Sequence, residues 1–195
     1  MPVKQRRGEE TKQRLLDAAL AAHEKGEFTV QAVLAGSGVS LGSLYHHFGS
    51  FDGLAAALYA RCMAELLDGI VVALERARTA RTGVYAVVTA YLSFVMDESA
   101  KARFIHASAY AAYLPAHPGV IEEAKYPRMR RIAEWLAPHV EAGAIVDLPD
   151  PLTEMLLIGP VAEISRRWLS GARVDLARAA KLLPARTWAA LRGSD

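Results

Sequence analysis

The stretch Thr29-Val30-Gln31-Ala32-Val33-Leu34-Ala35-Gly36-Ser37-Gly38-Val39-Ser40-Leu41-Gly42-Ser43-Leu44-Tyr45-His46-His47-Phe48 decides how this chain reads. Its apolar residues recur at three and four positions rather than two, which is the period of a helix and not of a strand. Thr29 and Ser40 carry hydroxyls that can accept the free amides of a helix start. Gly36 and Gly38 punctuate the middle, and Gly49-Ser50 closes the second half. The spacing predicts two short helices, one starting at Thr29 and one over 41–47, joined by a turn of about four residues. Gly38 supplies a positive φ in that turn, Val39 fills the gap between the helices, and Leu44 and Phe48, four apart, form an inward stripe that leaves Ser43, Tyr45, His46 and His47 outward.

The same period extends in both directions. A first helix is expected over 9–24, with Leu15, Ala19 and Leu20 inward and Gly26 near its stop. A long fourth helix is expected over 52–78, with Leu54, Leu58, Met63, Leu66, Leu67 and Ile70 on its apolar side. Beyond Arg81, helices are expected near 82–97, 99–114, 118–142, 151–170 and 173–192. Pro127 is a candidate break, and Pro115, Pro118, Gly143, the turn at 149–151 and Gly171 are the stops. The fold class is therefore all-α, with about nine helices. Its expected domains are an N-terminal arm and three-helix helix-turn-helix unit (1–52), a linking helix (53–80) and a larger helical domain (81–195).

Composition narrows the function classes. Of 195 residues, 52% are hydrophobic and 23% charged, which excludes disordered, collagenous and low-complexity chains. Cys62 is the only cysteine, so no intrachain disulfide is available. The charged start 1–10 lacks the apolar stretch of a secretory signal, and no run reaches the roughly 18 apolar residues of a membrane span. A cytoplasmic protein with no membrane partner is expected. No glycine-rich phosphate loop, activated nucleophile or paired carboxylates on one helix face argue for an enzyme, and no His/Cys/Asp/Glu spacing argues for a metal or cofactor.

Net charge is only +2, but its distribution is uneven. Lys4, Arg6, Arg7, Lys12 and Arg14 outnumber Glu9 and Glu10 in the first fourteen residues, whereas no Lys or Arg lies between Lys25 and Arg61. A helix-turn-helix places its second helix in the major groove of B-DNA. Neutralising phosphates would then fall to the N-terminal arm, entering the minor groove or lying along the backbone. A solvated terminus without that role is the alternative.

The segment 29–48 closely resembles the DNA-binding region of the TetR family of bacterial transcriptional regulators. The family's string Gly-Val-Ser-x-Gly-Ser/Thr-Leu-Tyr-His/Tyr-His/Tyr-Phe is matched from 38 to 48, and the resemblance covers roughly residues 10–70. Further on, Gly159-Pro160, Glu163 and Arg166-Arg167-Trp168-Leu169 resemble the family's penultimate helix. The resemblance implies a regulator, most simply a repressor, that binds a palindromic double-stranded operator as a homodimer and is released by a small-molecule effector. Candidate DNA contacts are Lys4, Arg6, Arg7, Thr29, Ser40, Leu41, Gly42, Ser43, Tyr45, His46, His47 and Ser50, the last at a helix start that presents amides to a phosphate. Two positions depart from the family's usual lysines, Leu41 and Phe51. They leave open the alternative of a ligand-binding or protein-interaction module of the same fold with weakened DNA binding.

In the larger domain, Tyr85, Tyr91, Phe94, Phe104, Tyr110, Tyr113 and Trp135 form an aromatic set, with His106 as a polar group among them. Such a set lines either a plain core or a cavity for an apolar or aromatic ligand; the resemblance implies an effector cavity here. The last two helices are more apolar than one packed face requires. Leu152, Met155, Leu156, Ile164, Trp168, Leu182 and Trp188 are the expected dimer interface, forming a four-helix bundle about a two-fold axis. Such a dimer reads successive major grooves when its recognition helices stand about 34–36 Å apart.

Overall fold

A computed structural model describes residues 3–108, 111–149 and 151–193, with the side chains of residues 3–5 outside the description. Among the described residues the chain is all-α, with ten helices. They are α1 (Val3–Glu24), α2 (Val30–Ser37), α3 (Leu41–Phe48), α4 (Phe51–Glu75), α5 (Ala80–Asp97), α6 (Ser99–Ser108), α7 (Tyr113–Ala116), α8 (Pro118–Glu141), α9 (Leu152–Leu169) and α10 (Leu176–Leu191).

The starts and stops follow from local chemistry. The amide of Ala32 donates to Thr29 Oγ1 at 3.2 Å, that of Ser43 to Ser40 Oγ at 3.2 Å, and that of Gly53 to Ser50 Oγ at 2.9 Å. Each hydroxyl satisfies one orphan donor at a helix N-terminus. Gly38 ends α2 in the left-handed region at φ +62°, where its N–H bonds to the Leu34 carbonyl. A side chain there would be strained. Thr79 and Thr82 form a reciprocal capping box at α5, and Asp175 caps α10.

Four expectations are corrected. The first helix starts at Val3, not near residue 9, so the basic stretch is helical rather than an extended arm. The single helix expected over 99–114 ends at Ser108, and the chain resumes as the short α7. There the Ala111 amide turns back to the Ser108 carbonyl, an i→i−3 bond that tightens the turn. Pro127 does not break α8, which also contains Pro138. Pro127 lies on an exposed face, where water can solvate the carbonyl its ring leaves unpaired. On α1, Leu15, Leu16 and Ala19 are buried, whereas Leu20 is only half-buried.

By internal contacts the chain divides into residues 1–63 with 104–124, and residues 64–103 with 125–195. The division falls inside α4, α6 and α8. It also differs from the expected domains in assigning 104–124 to the first unit, because Phe104 is fully buried among that unit's aromatic side chains. The core of the first unit collects Leu15, Leu16, Ala19, Val33, Leu44, Leu54 and Leu58, all at or near zero exposure. In the second unit, α5, α9 and α10 pack against one another around Val84, Val88, Leu92, Leu157, Val161 and Leu191. Ile145, on the α8–α9 connection, pairs with Arg192 in an isolated antiparallel bridge that ties down the end of α10.

Candidate nucleic-acid interface

The amphipathic division of α3 sets the site. Leu44 is fully buried, whereas Leu41 and Tyr45 are 44% and 46% exposed. Gly42 and His46 are also exposed, and Ser43, His47 and Phe48 are half-buried. A Cβ placed on Gly42 would meet no heavy atom within 4 Å, so the helix surface is open at that point. The imidazoles of His46 and His47 stand 5.3 Å apart. The outward set 41, 42, 45 and 46 thus shares one helix, one turn from the capping Ser40.

Thr29, Ser40 and Ser50 are engaged as helix caps, but each cap bond uses an oxygen lone pair. The hydroxyl hydrogen is still available to donate to a phosphate oxygen. Arg6 and Arg7 are exposed on α1, Arg6 3.5 Å from Glu10. Arg14 has a structural position instead. Its guanidinium donates to the Ser37 carbonyl, closing the C-terminus of α2 on α1. Arg14→Ala should therefore lower stability by about 1–2 kcal/mol through the lost charge-assisted bond, read as a shift in the urea midpoint at unchanged slope.

What holds α3 in place was largely invisible in sequence. A Cβ on Gly53 would sit 2.0 Å from the backbone oxygen of Phe48 and 3.4 Å from His117 Nε2, so α4 passes the end of α3 at a distance only glycine permits. Arg61 on α4 bonds Asp17 at 2.7 Å and Gln13 at 3.3 Å on α1. Phe51 is half-buried, its ring 5.0 Å from that of Phe28, which lies 5.5 Å from Phe104; His23 meets Phe104 edge-on at 4.9 Å. This cluster explains a phenylalanine where the resemblance expects lysine at 51. The interrupting glycine in a helical pattern was a signal for Gly53; nothing local pointed to Phe104.

The expected effector residues divide between the units. Tyr85, Tyr91, Phe94 and Trp135 belong to the second, and Phe104, His106 and Tyr113 to the first; Tyr110 lies outside the described residues. Tyr91 is buried, Tyr85 carries the Arg81 guanidinium 5.5 Å from its ring centre, and Phe94 is half-buried. Trp135 fills the space beside Gly83, where a Cβ would lie 1.9 Å from its ring, and tilts against His139. Phe104 is a core residue of the first unit's aromatic cluster. Tyr113 donates its hydroxyl hydrogen to Ser108 Oγ. Burial, opposed by the Ser108 hydrogen bond and reinforced by the Asp52 carboxylate, raises the Tyr113 phenol above its ordinary pKa. Among the described residues no group of three His, Cys, Asp or Glu is placed to hold a metal ion, and no helix is long and apolar enough to cross a membrane.

The expected interface residues lie on the faces of α9 and α10 away from the core. Leu152, Met155, Leu156 and Leu182 are exposed, and Ile164, Trp168 and Trp188 are half-buried.

Neither a family model nor a curated protein sequence matches the chain. Its three-dimensional structure does have close likenesses. A TetR-family transcription regulator from Marinobacter aquaeolei VT8 superposes with a TM-score of 0.79 at 16% identity, covering 97% of this chain and 100% of that one. The transcriptional regulator FadR from Bacillus subtilis, in complex with stearoyl-CoA, superposes at 0.74 with 16% identity, covering 90% and 96%. The fatty acid degradation regulator FadR from Bacillus halodurans superposes at 0.73 with 17% identity, covering 92% and 99%. From the capped helix-turn-helix through the last helix, the chain has the fold of the TetR-family transcription regulators.

Proposed function

We propose that this protein is a cytoplasmic, homodimeric DNA-binding transcription regulator, most simply a repressor, released from a palindromic operator by a small apolar or aromatic ligand. The observation that carries the reading is the exposed face of α3, on which Leu41, Gly42, Tyr45 and His46 turn outward around a buried Leu44. Its likeness in fold to transcription regulators supports the class, and a relative of the same fold that binds stearoyl-CoA supports an apolar effector. The exposed apolar faces of α9 and α10 support dimerisation, which a two-fold operator requires. An effector that prefers a dimer with another spacing of recognition helices lowers DNA affinity by the same factor by which DNA lowers its own, because linkage is reciprocal.

A salt titration tests the reading. Full-length protein is titrated with random duplex and with palindromes from the DNA flanking its own coding region. A steep salt slope with a gap between specific and random duplex supports the regulator. No binding at about 50 mM salt favours the ligand-binding alternative, which the absence of Lys and Arg on α3 makes specific.

The N-terminal turn carries its own prediction. Since α1 begins at Val3, the Lys4, Arg6 and Arg7 stretch is part of a helix about 10 Å wide, too broad for a minor groove of about 6 Å. It is proposed to lie along the phosphate backbone. Deleting residues 1–7 should shallow the log K against log salt slope by about 2–3 per protomer and cost more affinity than any single substitution on α3. Equal operator binding by truncated and full-length protein at moderate salt overturns it.

A further inference from the structure

Resting on the DNA-binding reading above, the chemistry of α3 limits what it can recognise. Bidentate reading of guanine takes Arg or Lys, and of adenine Asn or Gln; α3, Leu-Gly-Ser-Leu-Tyr-His-His-Phe, has none of these. Its exposed large apolar side chains are instead Leu41 and Tyr45, four apart and therefore on one face. Leu41 opens the helix, the end that reaches base edges in a helix-turn-helix. Beside it, Gly42 has open space where a side chain would otherwise hold the helix off. An exposed aliphatic group at that place has one apolar counterpart on a major-groove edge, the 5-methyl of thymine.

We infer that Leu41, exposed at the start of α3 beside the open surface of Gly42, specifies a thymine in each operator half-site by burying its 5-methyl group. Tyr45, one turn further on, flanks the same methyl with its ring. A guanine or cytosine at that pair offers Leu41 only polar groups, left unpaired against an aliphatic side chain. Discrimination thus rests on apolar contact and exclusion rather than on a hydrogen-bonded pair.

The test begins with selection of duplexes from a randomised library by the full-length protein. Each thymine of the recovered consensus is then replaced, one half-site position at a time, by deoxyuridine, which lacks only the methyl. One thymine per half-site should weaken binding about fourfold when replaced, and about fifteenfold when replaced in both half-sites. Leu41→Ala should bind weakly but equally to the thymine and uracil duplexes, with the salt slope of the parent protein. Leu41→Arg should move the selected base at that position toward guanine. An enriched palindrome bound equally well with uracil at every position overturns the role of Leu41 while leaving the regulator standing. Failure to enrich any duplex overturns the regulator itself.

Discussion

Replacing Gly53 by alanine should destabilise the protein by about 3 kcal/mol or more, although glycine-to-alanine in a helix ordinarily stabilises by about 1 kcal/mol. The sign is decided by the approach of α4 to α3. The added methyl would fall 2.0 Å from the Phe48 carbonyl oxygen, a backbone atom that moves only if the end of α3 moves. At about 2–4 °C per kcal/mol for a chain of this size, the melting temperature should fall by roughly 6–12 °C. Operator binding should fall further than stability alone requires, because the shift displaces the outward face of α3. Gly69, on the same helix, is exposed and has nothing within 4 Å of its Cβ position. Gly69→Ala should therefore stabilise, by up to about 1 kcal/mol. Calorimetry on the two variants gives opposite signs if the close approach is correct. A stabilised Gly53→Ala would show that α4 and α3 stand further apart.

The second large effect concerns assembly. Met155 on α9 and Leu182 on α10 are 59% and 50% exposed in a single chain. On the proposed dimer, Met155→Asp combined with Leu182→Asp would place carboxylates in a desolvated interface without partners, a cost that disfavours association strongly. The variant should sediment as a monomer with unchanged helical circular dichroism, since neither side chain belongs to the core. Its affinity for a palindromic duplex should drop by about 10²–10⁴-fold, because two linked half-site contacts become two separate ones. Its affinity for an isolated half-site should stay the same. A dimeric variant that still binds the palindrome would show that α9 and α10 pair with nothing in the regulator.

Much of the first unit was legible because its signals are short-range. A hydroxyl at Thr29 or Ser40 reaches an amide only three residues away, and the positive φ of Gly38 belongs to the turn that contains it. Likewise, burial of Leu44 and exposure of Tyr45 follow from helical periodicity alone. The start of α1 was misplaced because charged residues without apolar rhythm look like a tail, while a helix needs only good backbone formers once its later turns are anchored. The helix expected over 118–142 runs on through Pro127, its candidate break, because one lost hydrogen bond on a solvated face costs little.

From its own order of residues, then, the chain determined an all-α fold, a capped helix-turn-helix and an outward Tyr45 and His46, all through interactions spanning less than two helical turns. The tertiary structure alone decided the roles of Arg14, Phe51, Gly53, Phe104 and Trp135. Each of these meets a group that neither propensity nor period can bring near it: the carbonyl of Ser37, the ring of Phe28, the oxygen at the end of a preceding helix, the imidazole of His23, the bare Cα of Gly83. Such meetings depend on how helices approach one another in space. That is set by the summed packing of many side chains, not by any residue's neighbours in sequence.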